Sequence, residues 1–238
     1  MRDSIVFMLA LVTLLTGCSA SLEKKDYNQY KNIGVVCLVK NQLMFTEQGP
    51  LPIQIKQKTE MVTDWQITED LQKSSYTLLS AHFKPVPLNY DPVSLAKVFD
   101  EHGNAWPQLT SQQMQAIREI VRDKPIDAIL VIRDGFLPLG EIKGVIEGMG
   151  ILHEQMLFDR VEVHSLLSGR LFETENFKPI AYHGTAIYDF RKFDKYPWSF
   201  GFGRMTAQAK QEAKTLVKQS GEAALHQMLT KLGLLDDQ

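Results

Sequence analysis

The chain of 238 residues has only two cysteines, Cys18 and Cys37, which excludes a fold stapled by several disulfides. Neither sign of charge dominates. Lys and Arg number 26 against 28 Asp and Glu, a net charge of −2, so the basic footprint of a nucleic-acid binder is missing. There are no blocks of like charge, no internal repeats and no low-complexity segments. Catalytic signatures are equally scarce. A Gly-Lys-Ser/Thr phosphate loop, a Gly-x-Ser-x-Gly elbow and a Cys-x-x-Cys pair are all absent. The six histidines include no His-x-x-x-His pair, and the His-Glu-x-x-His pattern opened by His153 and Glu154 ends on Leu157. No cofactor and no metal are expected.

The chain's one long apolar run, Ile5 to Leu15, is broken only by Thr13. As a helix it would span roughly 16 Å, well short of a bilayer core of about 30 Å. It reads as the apolar region of a signal peptide. Leu15-Thr16-Gly17-Cys18 follows directly and resembles the bacterial lipobox. That resemblance implies a signal peptide over 1–17, a diacylglyceryl group on the Cys18 thiol, and an acylated new amino terminus, with palmitate among the chains. A simple signal peptide cut after Ala20 or Ser21 is the alternative. Ser19 stands where, in that family, an aspartate retains lipoproteins at the inner membrane. The expected address is therefore the outer membrane, lipid-anchored, on its periplasmic face.

Residues 18–31 are polar and read as a lipidated tether, leaving 32–238 as one periplasmic domain. Ile33 to Val39 is a β-branched run suited to a central strand, and Cys37 within it is expected to be a buried, unpaired core residue. The segments around Gly49-Pro50-Leu51-Pro52 predict a hairpin. Thr68 is expected to cap a helix that follows it, and Asp91-Pro92 to open another. A third helix is expected over 111–122. "FKPVPLN" reads as an edge strand because its prolines cannot donate to a ladder. "DAILVIRD" reads as a core strand, and the glycines between 135 and 150 as a loop or hairpin connection. Long β segments are expected at 156–173 and 178–188. A final helix is expected from Met205 to Leu232, bent at Gly221.

Helices between early strands and a late strand meander give an α/β (α+β) sandwich: a mixed β-sheet, flanking helices and a long C-terminal helix. With "IGVVCLV", Asp64-Trp65-Gln66-Ile67, and "AILVI" followed by glycines, the layout resembles periplasmic modules of the TolB N-terminal type, also found in the curli-secretion lipoprotein CsgG. It is similar also to uncharacterised bacterial envelope proteins. The resemblance covers most of residues 32–190 and implies fold alone.

Among side chains that could carry chemistry, His164 and His183 fall on neighbouring expected strands, with Asp189 or Glu173 near enough in sequence to complete a metal cluster. Asp134 ends a core strand, a common place for active-site groups, although Asp-Gly is also a turn signal. The stretch "YDFRKFDKYPWSFGFGRM" interleaves aromatics with basic residues. Tyr196, Trp198, Phe200, Phe202 and Arg204 form either a satellite core beneath the C-terminal helix or an interaction surface. The expected function is that of a lipid-anchored envelope protein, a non-catalytic binding or assembly factor. Its partners would be the membrane, through the lipid, and an envelope protein or a second copy. An envelope hydrolase or transferase built on Asp134, His164 and His183 is the alternative.

Overall fold

A computed structural model describes residues 27, 29–51, 54–101, 108–139, 144–155, 159–182, 187–193 and 195–236. Cys18, the signal segment and His183 lie outside the described residues. Strand β1 (Asn32–Cys37) lies between β5 (Ala128–Asp134) and β4 (Lys84–Val86), parallel to both. Helices cover both of its faces, which is why β1 and β5 read as unbroken apolar runs rather than alternating ones. β2 (Gln42–Gln48) and β3 (Ile55–Met61) form the antiparallel hairpin expected around the Gly-Pro turn. The remaining strands are β6 (Phe136–Pro138), β7 (Val145–Glu147), β8 (Met149–Glu154), β9 (Arg160–Glu173), β10 (Pro179–Tyr182) and β11 (Ile187–Lys192).

Among the described residues nine strands form one mixed sheet, hydrogen-bonded in the order β3-β2-β8-β9-β5-β1-β4, with β10 and β11 also on β9. β5 pairs with residues 167–173 of β9 and β8 with residues 160–165. Leu166, between them, accepts from Gly135 N–H at 2.9 Å and donates its own N–H to Gly148 O at 2.8 Å. An antiparallel residue turns both backbone groups towards one neighbour. β5 and β8 therefore lie end to end along one edge of β9, with the β6–β7 ribbon looped out between them opposite Leu166. β10 and β11 follow one another along the other edge.

Helices α1 (Ile67–Leu79) and α4 (Ala207–Lys231) pack on one face of the sheet, where Leu71, Leu79, Val217 and Leu225 join Val35, Phe45, Leu130 and Val163 in the larger core. On the other face, α2 (Pro92–Glu101) and α3 (Ser111–Val121) set Leu95, Phe99 and Ile117 against Val36, Ile129, Val131 and Phe172. This is the α/β sandwich with mixed sheet and long C-terminal helix that the order of elements implied. Among the described residues no helix is long and apolar enough to cross a membrane.

Local differences have identifiable causes. Thr68 lies inside α1 rather than capping it. Its hydroxyl donates to Val39 O at 2.6 Å, tying the helix to the end of β1, while Gln66 starts the helix with a left-handed φ of 55°. Gly221 does not interrupt α4; it lets the helix approach the sheet, since a Cβ there would stand 3.0 Å from Met149 Cε. "YDFRK" belongs to β11 rather than to the loop that follows. Within the segment expected as a tether, Tyr27 and Tyr30 are buried, and the Tyr27 hydroxyl donates to Leu232 O at 2.6 Å. A capping box between Thr110 and Gln113 fixes the start of α3.

Candidate functional site

Among the described residues a concave surface lies between the two helices of one face. An open groove of about 750 Å³ runs between α1 and α4 and reaches the edge strand β11. The amphipathic spacing of both helices sends their apolar residues to the sheet and leaves polar ones along the facing walls. α1 contributes Asp70, Lys73 and Ser74, and α4 contributes Lys218, Glu222 and His226. A small adjoining cavity, which shares Asp70, Lys218 and Glu222 with the groove, is lined by Leu71, Met149, Val217 and Gly221. Lys218 Nζ and Asp70 Oδ2 are 2.5 Å apart and span the groove. At its end Arg191 donates to Asp189 Oδ2 at 2.7 Å and to Gln219 O at 3.4 Å. Side chains of both charge signs therefore line the groove. The groove was invisible in the sequence because α1 and α4 are over a hundred residues apart.

The aromatic segment 195–205 closes the sheet's end instead of projecting from it. The Phe202 ring meets Phe45 edge-on at 5.0 Å and Trp65 at 5.5 Å, and its N–H donates to Glu60 Oε2 at 3.1 Å. Trp198 lies 4.8 Å from the His153 ring, and Tyr196 lies 5.5 Å from the buried Phe193. Tyr196, Trp198, Phe200 and Phe202 are all half-buried against the main core, while Arg204 is exposed.

Of the residues weighed for catalysis, His183 lies outside the described residues, and Asp134 and His164 are on opposite faces of the sheet. Asp134 pairs across the sheet with Leu167, which belongs to the α1/α4 face. His164 is three residues along β9 and so points to the opposite face. Burial pushes the Asp134 carboxyl up to about 7, against the hydrogen bond from Lys40 N–H at 3.2 Å, and the nearby Glu147 raises it further. Burial also holds His164 down to about 3. Asp189 pairs with Ser165, placing it on the face away from His164, and Glu173 accepts from the Tyr30 hydroxyl at the far end of β9. Among the described residues no group of three His, Cys, Asp or Glu side chains could hold a metal ion. Cys37 is fully buried, and burial pushes its thiol up to about 12.

No family model matches the chain, and no curated protein matches it in sequence. Among solved structures it is similar to the hypothetical protein CT253 from Chlamydia trachomatis, with 8% identity and a TM-score of 0.44 over 86% of this chain and 96% of that one. It is similar also to XCC0632 from Xanthomonas campestris, a DUF330 protein, with 7% identity and a TM-score of 0.39 over 86% and 85%. A third is lipoprotein GNA1162 from Neisseria meningitidis, with 14% identity and a TM-score of 0.30 over 79% and 96%.

Proposed function

We propose that the chain is a lipid-anchored protein of the bacterial envelope whose α/β domain binds a partner through the groove between α1 and α4. The observation that carries the reading is Cys18 placed directly after Leu15-Thr16-Gly17 at the end of the apolar run. Packing is already under way at Tyr27, so only eight residues, 19–26, separate the modified cysteine from the domain. Fully extended, that link reaches roughly 30 Å. The domain is thereby held beside the bilayer, which suits a protein that engages other envelope components. Each buried acyl methylene contributes about 0.8 kcal/mol, so several chains make the attachment durable. With Ser19 after the cysteine, the outer membrane and its periplasmic face are the proposed address.

Metabolic labelling with an alkyne palmitate analogue tests the anchor. Wild-type protein should carry the label and fractionate with membranes, whereas Cys18→Ala should lose the label and persist as precursor. A photo-crosslinker placed at Lys73 or Gln219 should capture a defined partner in intact cells. An unlabelled wild-type protein of unprocessed mass would reject the anchor, and the absence of any crosslink from either groove position would reject the binding face.

A further inference from the structure

We propose that His164 is an acid-sensitive latch on β11: taking up a proton obliges its imidazole to leave the slot between Gly150 and Phe190, and this frees the strand. His164 has no exposed surface, and neither ring nitrogen has a hydrogen-bond partner among the described residues. The ring fills the space that a side chain at position 150 would occupy, since a Cβ there would stand 2.6 Å from His164 Cε1 and 2.8 Å from Nε2. Across the other ladder Phe190 faces it, with the ring centroids 5.9 Å apart. An imidazolium in this slot would be a buried charge with two unsatisfied donors, which a low-dielectric site does not tolerate.

Among the described residues no neighbour supplies the missing counter-charge. On the same side of the sheet β9 carries Glu162 and β8 carries Glu154. Arg160 holds both, at 3.6 Å and 2.6 Å. β11 presents Tyr188 and Lys192, the latter opposite Glu162, and β2 presents the uncharged Met44 and Thr46. In the ribbon, Ile146 is buried and Glu147 is exposed to solvent.

β11 is the element that can yield. Among the described strands it pairs with β9 alone. On its other face α4 holds it by the Ser220 hydroxyl, which donates to Asp189 O at 2.9 Å, and by Arg191. Opening an edge strand requires less than unfolding the whole sheet. Between the ordinary histidine range near 6.5 and the buried value of about 3, each unit of acidification raises the open population up to tenfold. From pH 7.5 to 5.0 the increase is roughly thirtyfold.

The latch does not depend on the lipid anchor and is tested on the full chain. Hydrogen exchange of residues 187–193, corrected for intrinsic rate, should accelerate roughly thirtyfold between pH 7.5 and 5.0, while β1 and β5 stay protected. His164→Phe keeps a ring over Gly150 and removes the titration, so the acceleration should vanish. The His164 Cε1–H resonance should not titrate in the folded state between pH 8 and 5. An unchanged β11 rate in wild type, or equal acceleration in β1 and β5, overturns the latch. So does a His164 resonance that titrates near 6.5 while β11 remains protected, and this last measurement decides the matter even where the Phe variant does not fold.

Discussion

Gly150 and His164 face each other across the β8–β9 ladder, and the imidazole of one takes the space that the other leaves empty. An aromatic ring laid over a cross-strand glycine shields backbone that would otherwise lack packing. A Cβ at position 150 would also stand 2.1 Å from Met44 O, a backbone atom that cannot swing aside. Gly150→Ala is therefore expected to separate β8 from β2 and destabilise the protein by about 3 kcal/mol, at the upper end of overpacking costs. Urea denaturation at neutral pH measures it. A loss below about 1 kcal/mol would mean that the sheet accommodates the methyl and that the close fit is not a constraint.

Asp134 makes stability depend on pH in the opposite sense to His164. Its folded carboxyl is raised from 3.8 to about 7, mainly by burial. The stability attached to the protonated form is complete below about 4 and is lost as pH rises through about 7. Asp134→Asn keeps a neutral polar group there. At pH 8 the variant is expected to be more stable than wild type by on the order of 3 kcal/mol, with the advantage disappearing near pH 4. Denaturation curves of both proteins at the two pH values provide the check, and a constant difference would show that the carboxyl is not protonated in the fold.

Burial also sets the behaviour of Cys37. With no exposed surface and a thiol pushed up to about 12, it carries almost no thiolate at neutral pH. A thiol reagent should label it at least a hundredfold more slowly in the native protein than in denaturant. Fast native labelling would show that β1 is accessible from one face.

The parts of the fold legible in the sequence are those fixed by local pattern. The unbroken apolar runs of β1 and β5, the Gly-Pro turn between β2 and β3, and Pro92 at the start of α2 each act through neighbours in the chain. What escaped detection depends on distant residues. Thr68 reads as a cap until Val39, twenty-nine positions away, takes its hydroxyl. The glycines between 135 and 150 announce a loop or hairpin, and the β6–β7 ribbon is that hairpin, but its position opposite Leu166 is set by a residue on another strand. The pairing of Asp134 with His164 looked feasible in one dimension and fails by strand parity alone. The groove needs α1 and α4 side by side, and no local spacing announces that.

The aromatic segment offers the sharpest contrast between a surface and a core. Phe202 closes over Phe45 and Trp65, Trp198 lies on His153, and Phe200 is 6.3 Å from Trp198. Full truncation of a large core aromatic costs roughly 3–5 kcal/mol. These rings are half-buried, so about 2 kcal/mol each is the reasonable expectation. Replacing Trp198, Phe200 and Phe202 together with Ser should lower stability by more than about 4 kcal/mol, with Phe202 contributing most because it touches two core rings. A surface built for a partner would behave differently: the triple variant would keep its melting temperature and lose the crosslinked partner. Thermal denaturation and crosslinking on the same preparation separate the two outcomes. If stability falls while the Phe202→Leu variant, which restores apolar volume, recovers most of it, the segment serves to seal the end of the sheet beside β2 and β8.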